Sequence, residues 1–388
     1  SFSYRFLQQI GSSMSSPLSR SLGILYGQFI GDALGSRYEF TSAKVAKTKI
    51  ANDRGTSALV PLLGGGPFGY GPGVVTDDGE MAMSLLSSCL STATNDNLHH
   101  DVFDASTVAC SYVRWAQTSP PDIGNTCRSA LGSVMSPTGW WNLPREWPQT
   151  LTAEDREHIR KGVEENVKRK NGNSLSNGSL MRQSILVPMY GSHYFRGTTE
   201  RTDEIQGRGD FSLLAAVEAD TLFTHSNPLA IEASKAFALI LFNLLKGKTP
   251  DEAVKSTIAV VESPYLRSLL ESARDRSLPV VLPDGQKSNG DDAHIGFFGV
   301  SLQVSVHVLL HATSFSDGLI DIVSIGGDTD TNGAIAGALL GARFGLDGIP
   351  SEWTRTVEKA PLRMKGENGI ESFEQLIEGV KKRYDELS

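Results

Sequence analysis

The sequence predicts an all-α protein that folds as a single domain. Apolar residues recur at helical spacing along most of the chain, whereas the alternation of apolar and polar residues that marks β-strands is nearly absent. Two segments also carry glycine at every fourth position, which places a stripe of glycines along one helix face. At 388 residues the chain is long enough to bury a substantial core.

Residues 1–20 are rich in serine and are predicted to form an N-terminal arm outside the core, so that the domain spans residues 21–388. The arm contains apolar side chains, among them Phe2 and Tyr4, in a segment too short to bury them alone. It is therefore interpreted either as a flexible tail or as a segment that orders on a partner.

The two glycine stripes predict a close helix pair. They consist of Gly23, Gly27, Gly31 and Gly35 in residues 21–36, and of Gly333, Gly337, Gly341 and Gly345 in residues 333–345. Each glycine costs a helix ~1 kcal/mol relative to alanine, so a stripe is tolerated where it lets another backbone come near. We expect both helices to be central and to pack on each other.

Helical periodicity continues through most of the remaining chain. The further predicted helices are 79–92, 104–117, 152–169, 212–223, 229–246, 250–260, 264–275, 296–313 and 371–386. The predicted loops are 41–75, 118–126, 136–150, 171–178, 191–210 and 280–293. Several of these loops exceed the ~12–15 residues beyond which a loop is usually functional or disordered.

Composition and charge exclude several classes of function. The net charge is −8 and the chain has no basic stripe beyond residues 168–170, which argues against nucleic-acid binding. Cys89, Cys110 and Cys127 form no CxxC pair, so we expect neither a disulfide framework nor a zinc site. No apolar run approaches the ~20 residues of a membrane span. The expectation is a cytoplasmic protein in a reducing compartment, without membrane contact.

An acidic segment lies near the C-terminus, SIGGDTDTNGAIAGALLGARFG at residues 324–345. Residues 328–333 match the first half of an EF-hand calcium loop, but the twelfth position, which should be glutamate, is Leu339. An EF-hand is therefore rejected. Asp328, Asp330 and Thr331 remain as hard oxygen donors at a helix start, a set that suits Mg²⁺, Ca²⁺ or Mn²⁺.

A second acidic segment, GPGVVTDDGEMAMSLLSSCL at residues 71–90, has the same design. Glycine and proline precede Thr76, Asp77 and Asp78, and an apolar helix follows. If both helix starts meet, their carboxylates repel unless cations lie among them, and two bridged divalent ions about 3.5–4 Å apart are the usual solution. The alternative is that these side chains only cap their own helices, a contribution of ~0.3–1 kcal/mol at each N-terminus.

With these segments, the chain resembles the ADP-ribosylglycohydrolase family, the group that contains dinitrogenase-reductase-activating glycohydrolase and, as a relative, a jellyfish lens crystallin. The resemblance spans about residues 21–350. Six segments occur in family order: GILYGQFIGDALGSRYEF, GPGVVTDDGEMAMSLL, PPDIGNTCRSAL, NGSLMRQSILVP, LFTHSNPLAIEAS and IGGDTDTNGAIAGALLGARFG. The resemblance implies a compact all-α fold that holds two magnesium ions, with manganese as an alternative.

By position, the resemblance implies roles for individual residues. The metal ligands are Thr76, Asp77, Asp78, Asp328, Asp330 and Thr331, the catalytic residues are Glu39, Asp77, Asp122 and Asp330, and the substrate-binding residues are Ser174, Ser176, Asn177, Gly178, Ser179 and His225. Residues 174–179 match the loop whose backbone amides hold the pyrophosphate, a role that suits glycine before a helix start.

Some of these assignments have structural alternatives. Asp122 matches a carboxylate on the leaving-group side, but aspartate there also suits a helix N-cap. His225 matches a histidine at the adenosine end or else caps its own helix, and Arg182 is either a ligand or part of an ion pair. Gly79 and Asn332 depart from the family pattern, where threonine or a larger apolar side chain is expected.

The resemblance implies a magnesium-dependent hydrolase that removes ADP-ribose from a modified protein side chain. Arginine is favoured over serine because the TDD, PPDIGNT and GGDTDT segments look closer to the bacterial arginine-type branch. Two alternatives stay open. One is a catalytically silent, crystallin-like protein, and the other is an immunity protein that antagonises an ADP-ribosylating toxin or transferase partly by binding, with the arm as the contact.

Overall fold

The structure is a computed structural model that describes residues 15–92, 102–136, 139–196 and 203–385, and these residues are predominantly helical. In chain order the helices are α1 (Pro17–Gly35), α2 (Ala43–Arg54), α3 (Asp77–Thr92), α4 (Ala105–Gln117), α5 (Asn125–Leu131), α6 (Trp147–Thr150), α7 (Ala153–Lys170), α8 (Leu180–Gln183), α9 (Leu186–Arg196), α10 (Asp203–Thr221), α11 (Pro228–Leu245), α12 (Pro250–Ile258), α13 (Pro264–Asp275), α14 (Phe298–His311), α15 (Phe315–Val323), α16 (Thr329–Phe344), α17 (Ser351–Lys359) and α18 (Phe373–Asp385). A 3₁₀ turn, Leu346–Gly348, follows α16.

The strands of the described residues form three antiparallel two-residue pairs, and three isolated β-bridges lie outside them. They are β1 (Thr41–Ser42) with β6 (Gly326–Gly327), β2 (Met135–Ser136) with β3 (Gly139–Trp140), and β4 (Val280–Val281) with β5 (Lys287–Ser288). The first pair ties the segment after α1 to the segment before α16. The prediction of an all-α fold is confirmed.

Every predicted helix overlaps an observed one, but some predicted loops are partly wrong. α2 lies inside the predicted loop 41–75, α6 inside 136–150, and α9 and α10 extend into 191–210. α2 was not predicted because it buries only Ala46 and Ile50, which leaves almost no apolar periodicity. α15 and α17 are further helices that the periodicity did not mark.

α1 and α16 pack against each other through their glycines, as predicted. A Cβ atom placed on Gly27 would lie 2.0 Å from the carbonyl oxygen of Gly337, and one on Gly31 would lie 1.9 Å from that of Gly333. The partners run in opposite order, so the helices are antiparallel. Gly345 differs from the other stripe glycines, because it follows α16 with φ at +69° and ends the helix.

The antiparallel pair brings the C-terminal end of α1 to the N-terminal end of α16. A Cβ atom on Gly35 would lie 2.1 Å from the carbonyl oxygen of Thr329, and the Thr329 hydroxyl donates to the Gly35 carbonyl oxygen at 2.7 Å. Glu39 follows α1, and Asp328 and Asp330 begin α16. Acidic residues from distant parts of the sequence therefore meet at one end of the central helix pair.

α1 begins at Pro17, so residues 17–20 of the predicted arm belong to the first helix. Ser16 caps the helix by accepting a hydrogen bond from the Ser19 amide at 3.0 Å. Arg20 is buried, and its Nε donates to the Leu245 carbonyl oxygen at 3.1 Å. Residues 1–14 lie outside the described residues, so the proposed partner-binding role of the arm stays a prediction.

α11 is the one helix of the described chain that is long and apolar enough to cross a membrane by length and composition. Inside the protein, 67% of this segment is buried. Burial against α10 and α12 accounts for its apolar sequence, as expected for a core helix.

The glycine contact makes a testable prediction about stability. Gly27→Ala should lower the free energy of unfolding by about 3 kcal/mol or more, because the added methyl group forces the two backbones apart. Chemical denaturation measures the change. Gly172→Ala is the control, since a Cβ atom there would meet its nearest neighbour at 3.7 Å. A similarly small effect of both substitutions would contradict the close approach of α1 and α16.

Candidate functional site

The N-terminus of α16 is held in place by a glycine turn. Gly326 and Gly327 have φ values of +77° and +72°, and a Cβ atom on Gly327 would lie 2.0 Å from the Gly290 carbonyl oxygen. The Gly327 carbonyl oxygen accepts a hydrogen bond from the Phe40 amide at 2.7 Å. The turn thereby places Asp328 beside the residue that follows Glu39.

The N-terminus of α3 is capped by a carboxylate of α1. Asp32 accepts hydrogen bonds from the Thr76 amide, 3.1 Å from both of its oxygens, and from the Gly79 amide at 2.9 Å. A Cβ atom on Gly79 would lie 2.6 Å from Asp32 Oδ2, which explains why glycine stands here instead of threonine. Burial raises the pKa of Asp32 from 3.8 to about 8, although the bonds from Thr76 and Gly79 oppose this shift.

Asp32 is a site residue that sequence reasoning did not assign. Its carboxylate orients Thr76, Asp77 and Asp78, which begin the helix that it caps. The sequence did contain a signal for Asp32, because it is the one acidic residue within the apolar, glycine-striped helix α1. A fully buried charge in such a helix calls for specific partners.

A carboxylate from the segment after α1 meets two carboxylates at the start of α16 beside these helix ends. Oxygen atoms of Glu39, Asp328 and Asp330 lie within 4.8 Å of one another. Burial and then the neighbouring charge of Asp328 raise the pKa of Glu39 from 4.5 to about 9. Burial and then the charge of Glu39 raise the pKa of Asp330 well above 3.8.

The two aspartates of α3 belong to the same group. Burial raises the pKa of Asp78 well above 3.8, and the charges of Asp77 and Asp32 add to the shift, with a smaller contribution from Asp328. The Thr331 side chain opposes the rise. The two acidic segments of the sequence therefore converge, and we call the group Glu39, Asp77, Asp78, Asp328 and Asp330 the acid cluster.

Buried oxygen atoms without partners mark where a cation would fit. Within the described part of the chain, Glu39 Oε2, Asp78 Oδ2 and Asp330 Oδ1 are buried and accept no hydrogen bond. Such atoms are rare in proteins and call for an explanation. Carboxylate and hydroxyl oxygens are the donors that hard divalent cations take, so these residues and Thr331 fit Mg²⁺ or Mn²⁺.

One turn further along α3, a buried acid does have a cationic partner. Glu80 accepts hydrogen bonds from Trp115 Nε1 at 2.9 Å and from Arg363 Nε at 2.6 Å. No residue of the acid cluster forms an ion pair with a described arginine or lysine. The uncompensated charge is therefore local to the cluster.

Asp122 lies at the N-terminus of α3 and not at that of its own helix. Its Oδ2 accepts hydrogen bonds from the Asp77 amide at 2.9 Å and from the Tyr70 hydroxyl. The N-cap of α5 is Gly124, whose amide donates to Asp77 Oδ2 at 3.3 Å, so the alternative that Asp122 caps its own helix is wrong. Asp122 Oδ1 is buried without a partner, as are the unpaired oxygens of the acid cluster.

The loop of residues 174–179 joins the acid cluster directly. Asn177 Nδ2 donates to Asp328 Oδ2 at 2.7 Å and to Ser301 Oγ at 3.0 Å. The hydroxyls of Ser174 and Ser176 lie 3.1 Å and 3.2 Å from the Thr126 hydroxyl. The loop therefore forms a polar wall beside Asp328.

Not every backbone amide of the predicted pyrophosphate loop is without a hydrogen-bond partner. The Asn177 amide donates to the Gly296 carbonyl oxygen at 3.0 Å, so it is already used. The amides of Gly178 and Ser179 have no partner among the described residues and precede α8. Both residues are buried, and their role in binding an anion stays a prediction.

His225 lies behind this loop with no exposed surface. Its Nε2 is 2.8 Å from Ser176 Oγ and its Nδ1 is 2.8 Å from Thr224 Oγ1, so both ring nitrogens have partners. Burial and then the charge of Arg182 lower the pKa of His225 to about 3. His225 is thus placed to hold Ser176, whereas we expected it to contact substrate directly.

Arg182 is part of a structural ion pair. Its Nε lies 3.0 Å from Asp220 Oδ2, and both side chains are fully buried. It also donates to the carbonyl oxygens of Gly178 and Asp220. Of the two roles considered for Arg182, the ion pair agrees with these contacts.

A comparison with protein-family models decides the family. The model described as ADP-ribosylglycohydrolase matches residues 13–386, nearly the whole chain. This protein belongs to the ADP-ribosylglycohydrolase family. Membership in this family identifies the chain as a hydrolase. The mainly helical fold and the acid cluster agree with this assignment.

Three relatives are similar to this chain over most of their lengths. A protein of Acanthamoeba polyphaga mimivirus, provisionally named an ADP-ribosyl glycohydrolase, is 31% identical over 87% of this chain and 90% of its own. The ADP-ribosyl-[dinitrogen reductase] glycohydrolase of Rhodospirillum rubrum is 26% identical over 86% of this chain and 88% of its own. An ADP-ribosylarginine hydrolase of Pseudomonas putida is 26% identical over 88% of this chain and 74% of its own.

A solved structure has the same fold. It is described as an ADP-ribosylglycohydrolase-related protein complex and aligns with a TM-score of 0.61 over 96% of this chain and 99% of that chain. The identity is 23%, so the likeness concerns the fold alone. The long helical domain predicted from the sequence is therefore a known architecture.

The raised pKa values predict that the metal-free protein loses stability as pH rises. Asp32 and Glu39 bind protons more tightly in the folded chain than in the unfolded one, where their pKa values are 3.8 and 4.5. Their contribution to stability is complete below those values and is lost as pH rises through about 8 and about 9.

Thermal melting in EDTA across this pH range measures the effect. We expect Tm to fall as pH rises, and we expect added Mg²⁺ to raise Tm more at the alkaline end, because protons compete with the cation for the carboxylates. The Mg²⁺-saturated protein is the control for pH effects elsewhere in the chain. A Tm in EDTA that stays constant or rises over the window would contradict a buried, uncompensated cluster.

Proposed function

We propose that this chain is a Mg²⁺-dependent hydrolase that releases ADP-ribose from modified arginine side chains of proteins. The observation that carries the proposal is the set of buried carboxylate oxygens without partners on Glu39, Asp78 and Asp330. A relative named ADP-ribosylarginine hydrolase supports arginine as the linkage. A relative named for the dinitrogen reductase supports a protein as the carrier of the ADP-ribose.

The proposed metal ligands are contributed by the starts of α3 and α16. They are Thr76, Asp77, Asp78, Asp328, Asp330 and Thr331. Two Mg²⁺ ions, or Mn²⁺ in their place, would offset the charge of the cluster and polarise a water molecule and the vicinal hydroxyls of the ribose. Asp32 fixes one donor group through the amide of Thr76, and Asn177 fixes the other through the carboxylate of Asp328.

The reaction forms a bond between a water oxygen and the anomeric carbon of the ribose, and it breaks the bond from that carbon to a guanidine nitrogen. The water loses a proton and the leaving guanidine gains one, so the site needs groups that accept and donate protons. We assign proton transfer to Glu39, whose carboxylate lies within 4.8 Å of Asp328 and Asp330 and has a buried oxygen without a partner. Asp77, Asp122 and Asp330 orient the water and the sugar.

The substrate diphosphate is assigned to the loop of residues 174–179. The amides of Gly178 and Ser179 lack described partners and precede a helix, an arrangement that suits a phosphate oxygen. The hydroxyls of Ser174 and Ser176 supply further donors. We assign His225 and Asn177 as positioning residues, because they hold Ser176 and Asp328.

Two other functions are weighed against this one. A silent, crystallin-like protein has no use for buried unpaired carboxylates, and the intact cluster disfavours it. An immunity protein that also binds a toxin or transferase would use a surface such as the N-terminal arm. No contact within the described chain favours that second role over hydrolysis.

Substrate turnover tests the proposed linkage. With Mg²⁺, we expect kcat/KM for an ADP-ribosylarginine substrate to exceed that for ADP-ribosylserine by about tenfold or more. EDTA should abolish release of ADP-ribose, and Mg²⁺ should restore it. Preference for serine would refute the linkage, full activity in EDTA would refute the metal, and tight ADP-ribose binding without turnover of either substrate would favour the silent alternative.

Asp330→Asn tests the acid cluster. The amide keeps the shape of the side chain but removes one charge, and turnover should fall by roughly a hundredfold or more. The metal-free variant should melt no lower than the metal-free parent, because a repelled charge is gone. Asp251→Asn is the control and should keep full activity, because Asp251 is a partly exposed acid in the first turn of α12 that pairs with Lys255 and Arg274. Near-parental turnover of Asp330→Asn would indicate that Asp330 only caps its helix.

A further inference from the structure

Two exposed aromatic rings lie at the edge of the acid cluster. Phe40 is 58% exposed and Phe68 is 37% exposed, and they are the only large exposed aromatic side chains of the described residues. Their ring centroids are 6.4 Å apart at an interplanar angle of 71°. Tyr70 continues the row, with its ring 6.2 Å from that of Phe68. We call Phe40, Phe68 and Tyr70 the aromatic ledge.

Phe40 is held in an unfavourable backbone conformation. Its φ is +58°, in the left-handed region that bulky residues rarely occupy. The conformation is fixed because the Phe40 amide donates to the Gly327 carbonyl oxygen at 2.7 Å, and the next residue, Thr41, pairs with Gly327 in the β1–β6 ladder. The chain therefore uses a strained position to present an apolar ring to solvent.

Phe68 is presented on a tight turn. Residues 66–69 form the turn, closed by a hydrogen bond from the Gly69 amide to the Gly66 carbonyl oxygen at 3.3 Å. Gly65 and Tyr70 exchange backbone hydrogen bonds of 2.6 Å and 3.0 Å below it. Arg37 Nη1 donates to the Gly64 carbonyl oxygen at 2.8 Å and fastens the turn to the end of α1.

The ledge is continuous with the acidic groups. Phe40 directly follows Glu39, and its backbone partner Gly327 directly precedes Asp328. At the other end, the Tyr70 hydroxyl donates to the Asp122 carboxylate. Aromatic faces beside the Asp122 carboxylate suit a ligand that is flat, cationic and carried on an apolar stem. The arginine side chain has these three properties.

We propose that Phe40 and Phe68 recognise the arginine side chain of the modified protein as it leaves the acid cluster. The inference rests on the proposed function and adds the residues that select its substrate. The guanidinium or its methylene stem lies against the ring of Phe40, and Phe68 covers the other edge. An ADP-ribosylated serine offers neither a planar cation nor a long stem, so the ledge favours arginine.

The test compares substrates that reach the ledge with a ligand that does not. For Phe40→Leu and for Phe68→Leu we expect kcat/KM on an ADP-ribosylarginine substrate to fall roughly fivefold to thirtyfold, mainly through KM, because the apolar volume stays but the π face is lost. The inhibition constant of free ADP-ribose should be unchanged, since this product lacks the arginine. Phe40→Trp keeps an aromatic face and should retain most of the parental kcat/KM.

Val260→Ala is the control for a change at an exposed apolar side chain, since Val260 is 62% exposed and follows α12, which contributes no site residue. Unchanged kcat/KM in both leucine variants would overturn the role of the ledge while leaving the proposed function intact. Equal losses on arginine and serine substrates, or a weaker affinity for ADP-ribose, would also overturn it. An inactive parent protein on ADP-ribosylarginine would instead refute the proposed function itself.

Discussion

The contact between the glycine faces of α1 and α16 is the constraint on which the rest of the structure depends. Carbonyl oxygens of one helix lie where side chains of the other would begin, as at Gly27 and Gly337. Because the helices are antiparallel, this approach brings the residues after Gly35 to the residues before Asp330. The acid cluster lies at that junction, so the packing of the core and the position of the site have one cause.

Bringing carboxylates to this junction is unfavourable, and the chain offsets only part of the cost. Asp32 receives three hydrogen bonds from two backbone amides, and Asp328 receives one from Asn177. These bonds lower the pKa values of the two groups, yet burial still raises both. The hydrogen bonds leave Asp78 and Asp330 uncompensated, because each has a buried oxygen atom without a partner. Binding of a cation there would link stability directly to function.

Much of this arrangement was visible in the sequence because it is periodic or local. The four-residue glycine spacing predicted the α1–α16 pair, and the TDD and DTDT segments predicted helix starts rich in carboxylate. Asp32 was missed because its partners, the amides of Thr76 and Gly79, lie more than forty residues away and amides have no sequence signature. The burial of His225 behind Ser176 likewise depends on tertiary structure, because the motif around a histidine does not indicate on which side of a loop it lies.

α2, one of the helices that periodicity did not predict, has a function that burial alone would not reveal. α2 buries only Ala46 and Ile50, so little hydrophobic free energy holds it in place. Its polar side chains hold the segment after α1: Asp53 pairs with Arg37 at 2.6 Å and accepts from the Tyr38 hydroxyl at 2.9 Å. Lys49 Nζ donates to the Arg37 carbonyl oxygen at 2.8 Å.

Residues 36–40 are therefore fixed from both sides, by α2 through Arg37 and Tyr38 and by β6 through the Phe40 amide. Glu39 lies between these anchors and turns toward Asp328, while Phe40 turns toward solvent and Phe68. The acid that we assign to proton transfer and the ring that we assign to recognition are consecutive residues of one restrained segment. On these two assignments, a substrate side chain at the Phe40 ring lies next to the Glu39 carboxylate.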